Sequence, residues 1–339
     1  MQDVVDWDLA VATGLRFTPK GPAVTLDQAE AVVRQLRRAS ERAVGPVLDV
    51  TGLEAPFEDH RAVVVARDEW LRSNIHQMRN AIGPVLHLLS DREPPAAVRA
   101  VGSRVTGMQM GAVLAWLSGK VLGQYEAFDN PGRLLLVAPN IAHVETVLDV
   151  QPTDFRLWVC LHEETHRVQF GAVPWLSDHF VAEVQAYFTA TDVDANTVLA
   201  RVLSAVRASS AARPGLIDLV QTPEQRAVLD RLTALMSLLE GHADVVMDAV
   251  GPRVVPTVDT IRARFDQRRR QAGTLDGALR RLLGLDAKLR QYTEGAAFVR
   301  GVVDRVGMPG FNAVWTSPET LPTTAEIAAP EAWVQRVHG

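Results

Sequence analysis

The segment FRLWVCLHEETHRVQF, residues 155–170, combines a run of apolar residues with the pattern H-E-x-x-H. Its length and composition predict a helix. Residues four apart lie on one face of a helix, so His162 and His166 can bind the same metal ion. Glu163 is rotated about 100° from His162 around the helix axis, which places its carboxylate to act as a general base beside that ion. Zinc is the metal expected, because it accepts histidines and a carboxylate while keeping one position open.

The third metal ligand has to come from a later part of the chain. Three glutamates follow His166 by 17, 74 and 128 residues: Glu183, Glu240 and Glu294. Glu240 and Asp244 share one helical face, which favours Glu240 as the ligand and Asp244 as a carboxylate that orients a ligand imidazole. The other two glutamates have an aromatic residue at the corresponding position, and they stay open as alternatives, as does His242.

Three further side chains near these motifs are candidates for a role at the site. His242 lies on a different helix face from Glu240 and could donate a hydrogen bond to an oxyanion; the alternative is a surface or core histidine. Asn140 follows an apolar run and could bind substrate backbone, or it could serve only as a turn residue. Cys160 has no patterned base nearby and is expected to be a buried apolar residue.

Helical patterns dominate the rest of the sequence, and one strand is predicted at 134–138, where a short apolar run is stopped by a proline. The fold class is therefore mainly α, that is, α+β with a small sheet. Other predicted features are a helix over 25–45 ended by Gly45-Pro46, a hinge at Glu93-Pro94-Pro95, a buried helix over 105–119, a turn at Asn130-Pro131-Gly132 and a helix over 222–249. The spacing of Gly107 and Gly111 is typical of close helix contacts.

The chain is expected to form a single domain over residues 1–339, because ligands at 162, 166 and 240 have to meet in one core. A proline-rich strap, mostly loop with a short helix near Trp333, is expected from about residue 308.

Composition narrows the possible functions. Of the 339 residues, 47% are hydrophobic and 22% are charged, which excludes a mostly disordered chain. The net charge of −5 gives no reason to expect nucleic-acid or membrane partners. The single cysteine excludes an intramolecular disulfide and a cysteine-based zinc site, so metal ligands must come from nine histidines and the carboxylates. The N-terminus lacks the pattern of a signal peptide, and a cytoplasmic location is expected.

The sequence also resembles the zincin-like metallopeptidase family of actinobacteria and relatives, whose members are associated by gene neighbourhood with biosynthesis of the deazaflavin coenzyme. The matching segments are Val5-Asp6-Trp7, Gln109-Met110-Gly111, Leu136 to Asn140, His162 to Phe170, Val173-Pro174-Trp175, Leu239 to Asp244, and Gln291-Tyr292 with Gly295 and Phe298. The resemblance implies a zincin-like metallopeptidase fold, zinc on His162 and His166, and Glu163 as general base. The sequence is also similar to the gluzincin group, in which the third metal ligand is a glutamate from a later helix, and Glu240 fits that pattern best.

These observations predict a zinc-dependent metallopeptidase or related hydrolase that cleaves a peptide or small amide substrate. The alternative from another class is a non-catalytic zinc protein, a scaffold or regulator that retained the H-E-x-x-H site. A third hypothesis is a metal-free helical interaction protein. No phosphate cradle or dinucleotide fingerprint occurs in the sequence, so direct coenzyme binding is not expected.

Overall fold

The computed structural model describes residues 4–55, 61–88, 96–127, 132–190, 222–270 and 285–339. The helices are α1 (Trp7–Phe17), α2 (Leu26–Thr51), α3 (Arg67–Leu88), α4 (Ala96–Ser118), α5 (Ala138–Leu148), α6 (Pro152–Ala172), α7 (Leu176–Thr189), α8 (Pro223–Val250), α9 (Val258–Arg270), α10 (Leu285–Phe311), α11 (Thr324–Ala328) and α12 (Pro330–His338). Two short 3₁₀ helices cover Asn312–Trp315 and Pro318–Thr320. The strands are β1 (Val63–Val65), β2 (Gly123–Glu126) and β3 (Arg133–Val137). The predicted class, mainly helical with a small sheet, is confirmed.

The three strands form one small sheet in the order β1-β3-β2. β3 lies in the centre, parallel to β1 and antiparallel to β2. Four apolar residues of β3, Leu134 to Val137, are buried, as expected for a central strand covered on both faces. The predicted strand at 134–138 is thus confirmed to within one residue. β2 forms the edge of the sheet and packs beside α6.

Helix α6 carries the H-E-x-x-H pattern and lies at the centre of the largest hydrophobic cluster. Its apolar residues face α2 on one side and the sheet and α8 on others, so it is buried nearly all round. The predicted helix over 155–170 is confirmed and extends a few residues at each end. Gln151 is the N-cap, and its side chain accepts a hydrogen bond from the backbone N–H of Asp154.

Helix α8 lies beside α6 and carries the predicted third ligand. Thr222 and Gln225 form a capping box at its start, and Pro223 occupies the first turn, where its missing N–H costs nothing. The helix predicted over 222–249 is therefore confirmed. On its far side α8 crosses α10 backbone to backbone at Gly241 and Gly295, where a Cβ on either residue would clash with the other helix.

The predicted end of helix α2 is wrong. α2 does not stop at Gly45-Pro46 but continues through Pro46 to Thr51. Burial of Val47 and Thr51 offsets the cost of the backbone hydrogen bond that Pro46 cannot make. The helix ends at Gly52, whose backbone is in the left-handed region at φ 62°.

Helix α4 is only partly buried, which differs from the prediction for 105–119. Gly107 and Gly111 let the backbone of α1 approach closely at Asp6 and Ala10, as their spacing predicts. This contact concentrates burial on one face. Three apolar residues on the other face are exposed: Val101, Val105 and Met108. No helix in the described ranges is long and apolar enough to cross a membrane.

The C-terminal segment from about residue 308 contains more helix than predicted. α10 continues to Phe311 across a kink at Gly307, and 3₁₀ turns and α11 follow. The predicted short helix near Trp333 is confirmed as α12, and the Trp333 indole is buried and donates a hydrogen bond to the Thr320 carbonyl. Most of the predicted hinge at 93–95 and turn at 130–132 lies outside the described residues, and the single-domain organisation stays a prediction.

Candidate metal centre

The structure brings together three of the side chains predicted as metal ligands. His162 and His166 project from one face of α6, and Glu240 reaches them from α8. The Nε2 atoms of the two histidines lie 3.2 Å apart. Glu240 Oε2 lies 3.4 Å from Nε2 of His162 and 3.6 Å from Nε2 of His166.

These separations fit a shared metal ion better than direct ion pairing. Ligands about 2.0–2.1 Å from a tetrahedral zinc ion lie about 3.3 Å from one another. A charge-assisted hydrogen bond between imidazolium and carboxylate would be shorter, about 2.7–2.9 Å. Glu240 Oε2 is buried and has no hydrogen-bond partner of normal geometry, so a cation between the three atoms would satisfy it.

The three side chains are also coupled electrostatically, in a way that keeps Glu240 ionised. Burial raises the pKa of Glu240, but its favourable interactions with the nearby rings of His162 and His166 outweigh burial and hold the pKa well below its ordinary value. Burial likewise lowers the pKa of His166, yet its interactions with Glu240 raise that pKa to about 9. A buried carboxylate that stays ionised requires a positive partner, which is the protonated His166 ring when no metal is bound and would be the metal ion when one is.

The other glutamates considered as third ligands lie elsewhere. Glu183 on α7 forms a bidentate ion pair with Arg231, with oxygen-nitrogen distances of 2.8 and 2.9 Å. Glu294 is exposed on α10. Among the described residues, Glu240 is the carboxylate that joins the two histidines.

Glu163 lies beside the three ligand atoms, on the wall of the same cleft. Its side chain fits against Gly123 of β2, where an added Cβ would lie 2.6 Å from Glu163 Cδ. The edge strand therefore needs glycine at this point to leave room for the proposed general base. No strand is predicted over 123–126 from the sequence, so Gly123 gives no sequence signal for this contact.

Gln169 is a buried residue that the sequence analysis missed. Its Oε1 lies 2.9 Å from His166 Nδ1, and its Nε2 lies 2.9 Å from both the Leu239 carbonyl oxygen and His242 Nδ1. The residue lies three positions after His166, a spacing that places both side chains on one helix face. That spacing is the signal that could have identified it.

His242 does not reach the cleft, so its predicted role as an oxyanion donor is wrong. It lies two residues after Glu240, and this turns it about 200° around α8 into the core. Its ring is fully buried and faces Phe311 and Trp315. Burial is the main cause that lowers the pKa of His242 to about 3, which keeps the ring neutral.

Asp244 pairs with arginines, so its predicted pairing with a ligand histidine is wrong. Arg262 of α9 and Arg300 of α10 lie 3.1 and 3.3 Å from its carboxylate, and both also bind Asp248. Asp244 does share a face with Glu240. However, the extra helical turn carries it about 6 Å along α8, toward the basic residues of the neighbouring helices.

Asn140 is a structural residue, and its predicted role in substrate binding is wrong. Its Oδ1 accepts a hydrogen bond from Arg67 Nε at 2.6 Å. Its Nδ2 donates to the backbone carbonyls of Ser118 and Val121 at 2.7 and 2.6 Å. The amide therefore fixes the segment between α4 and β2, and β2 in turn lines the cleft.

The three ligand atoms lie in a cleft of about 690 Å³ that follows α6. The wall residues on α6 are Trp158, Val159, His162, Glu163, His166 and Phe170, and those on α8 are Met236, Leu239, Glu240, Asp244 and Met247. The two helices run antiparallel, because Phe155 at the start of α6 shares a hydrophobic cluster with Val250 at the end of α8, whereas Val173 after the end of α6 shares another with Leu235. The ligands thus lie near the middle of a groove about 18 Å long. One end carries Phe170 and Phe180, and the other carries Trp158, Phe265 and the Asp244 ion pairs.

The chain is similar to known proteins along nearly its whole length. The model of the zincin-like metallopeptidase family matches residues 5–334. The chain is also similar to a protein from Chloroflexus aurantiacus whose crystal structure is described as that of a candidate hydrolase with a novel fold. The two share 34% sequence identity over 98% of this chain and 99% of that one, with a TM-score of 0.73. No curated protein matches the chain.

Proposed function

The chain belongs to the zincin-like metallopeptidase family, and on that premise we propose that it is a zinc-dependent hydrolase of a peptide or related amide bond. One observation carries the proposal. The nitrogen and oxygen atoms of His162, His166 and Glu240 lie 3.2–3.6 Å apart, and Glu163 stands beside them in the cleft.

The chain's own residues have distinct parts in this reaction. His162, His166 and Glu240 would hold zinc, which when bound supplies Lewis acidity that activates water and polarises a carbonyl group. The Glu163 carboxylate would take a proton from the attacking water and return it to the nitrogen of the leaving amine. Burial of Glu163 beside Gly123 limits the freedom of the carboxylate and keeps it close to the reacting atoms.

The shape of the cleft supports a peptide-like substrate. A groove about 18 Å long accommodates about five residues of extended chain at roughly 3.3 Å each. β2 is an edge strand, and residues Gly123 to Tyr125 line the groove, so an extended backbone could pair with it. A small amide would occupy only the central part of the groove, and small amides belong to the proposed substrate class as well.

A substitution of the general base tests the proposal. Glu163→Gln should retain about one zinc ion per chain while hydrolysis of a peptide mixture falls by 10²-fold or more. Glu294→Gln, a change of the same type at an exposed position, should leave both metal content and activity unchanged. Full activity in Glu163→Gln would overturn the mechanism.

Metal analysis separates the rival hypotheses. Zinc that is lost in His162→Ala and Glu240→Gln but kept in Glu183→Gln would support the ligand set and exclude a metal-free interaction protein. Zinc bound without cleavage of any peptide in the mixture would favour the non-catalytic zinc scaffold instead. A cytoplasmic location, the absence of nucleic-acid, membrane and coenzyme partners, and the link to deazaflavin coenzyme metabolism in actinobacteria stay predictions from the sequence.

A further inference from the structure

We propose that Gln169 is a positioning residue of the metal centre: its side-chain amide holds His166 in the tautomer that presents the Nε2 lone pair to the ion. The inference rests on the proposed zinc site, but it is independent of whether the protein hydrolyses peptides. It follows from the donors and acceptors around a single buried amide.

The orientation of the Gln169 amide is fixed by a backbone group. One end of the amide lies 2.9 Å from the Leu239 carbonyl oxygen, which can only accept a hydrogen bond. That end must therefore be Nε2. Its second hydrogen points to His242 Nδ1, also 2.9 Å away, so the two hydrogens of Nε2 are both used.

The other end of the amide then determines the state of His166. Oε1 can only accept, and it lies 2.9 Å from His166 Nδ1. Nδ1 must therefore carry a hydrogen, which leaves Nε2 as the ring nitrogen that faces His162 and Glu240. A histidine binds a metal through a nitrogen that has lost its hydrogen, and with the Nδ1 hydrogen held by Gln169 the nitrogen that can lose it is Nε2, which is the tautomer that a ligand requires.

His242 accepts the second hydrogen bond that the Gln169 amide donates. Its Nδ1 accepts from Gln169, so the hydrogen of the neutral ring is on Nε2, which is buried and has no hydrogen-bond partner. Such a group is normally avoided in a protein core, and its presence here is explained if the ring serves as an acceptor for Gln169. Because Leu239 immediately precedes Glu240, the same amide also ties α6 to α8 next to the third ligand.

Zinc affinity, measured by competition with a chelator, tests this role without any substrate. Gln169→Leu should weaken zinc binding about 10- to 100-fold, which is the usual effect of removing a hydrogen bond to a ligand histidine. Gln169→Glu keeps an acceptor for the Nδ1 hydrogen but loses both hydrogen bonds donated by Nε2, so it should bind zinc more tightly than Gln169→Leu and less tightly than the unaltered protein. The matched control is Gln185→Leu, which removes a glutamine hydrogen bond to the Ala81 carbonyl away from the centre and should leave zinc affinity unchanged.

A role in packing alone predicts other results. It would leave Gln169→Leu with the affinity of the unaltered protein, or make Gln169→Glu as weak as Gln169→Leu, and either result overturns the proposal. If Gln169→Leu does not fold, the zinc-loaded unaltered protein still provides a test. Its His166 Nδ1 hydrogen should give a nitrogen-coupled NMR signal with slow solvent exchange, and a rapidly exchanging signal would contradict the proposal. Failure of the unaltered protein to bind zinc would instead refute the proposed function.

Discussion

Glu240 of α8 lies between two clusters of polar side chains, and the clusters differ in burial and in charge. On one side Gln169 and His242 form a neutral pair that is completely buried. On the other side Asp244 and Asp248 share two arginines at the rim of the cleft, where the side chains are between one quarter and one half exposed. The spacing along α8 predicts a functional role for Asp244, whereas in the structure it is Gln169 that contacts the predicted ligand His166.

The difference follows from what each environment requires. A buried polar group that loses its partner keeps the full cost of its desolvation, so every bond of the Gln169–His242 pair matters. An exposed ion pair competes with water and salt and contributes little on its own. Changes to the buried pair should therefore strongly alter the free energy of unfolding and the zinc affinity, whereas changes to the exposed ion pairs should alter both only slightly.

The largest effect is expected from removing the His242 ring. His242→Ala opens a cavity beside Phe311 and Trp315 and leaves one hydrogen of Gln169 without an acceptor. We expect the free energy of unfolding, measured with urea, to fall by about 3 kcal/mol. Asp244→Ala serves as the comparison on the exposed side and should cost less than about 1 kcal/mol. Equal losses in the two variants would refute the distinction.

The buried histidine should also make the free energy of unfolding depend on pH. The pKa of His242 is about 3 in the folded protein and about 6.5 in the unfolded chain. Its contribution to stability is therefore present above pH 6.5 and is lost as the pH falls toward 3, by about 1.4 kcal/mol per pH unit. His242→Leu should remove this part of the slope in urea unfolding between pH 6 and pH 4. Leu238→Ala, which destabilises the same helix but keeps His242, should retain the slope of the unaltered protein.

The sequence predicts the parts of the site that depend on local periodicity. His162, Glu163 and His166 lie within one helical turn or so of each other, and the helix is strongly marked by its apolar residues. Glu240 was favoured because a second carboxylate follows it on the same helix face. Glu240 does lie against the two histidines in the structure, but the carboxylate that follows it on the same face does not contact them, since Asp244 turns to arginines.

The incorrect roles share a physical cause. The environments of His242, Asp244 and Asn140 are set by side chains from distant elements: Phe311, Trp315, Arg262, Arg300 and Arg67. Spacing along one helix determines which face a residue occupies but not what covers that face. Gln169 is different, because its position three residues after His166 could have indicated it from the sequence.

The smallest effect is expected for the exposed ion pairs. The coupling free energy between Asp244 and Arg300, obtained from a double-mutant cycle of Asp244→Asn and Arg300→Gln, should be about 0.5 kcal/mol. It should decline further in 1 M salt, where the screening length falls to about 3 Å. Arg262 would still bind Asp244 in the Arg300 variant, so zinc affinity should change less than about 3-fold. A coupling of 2 kcal/mol or more that persists in salt would show that this group behaves like a buried network, and the comparison between the two sides of Glu240 would fail.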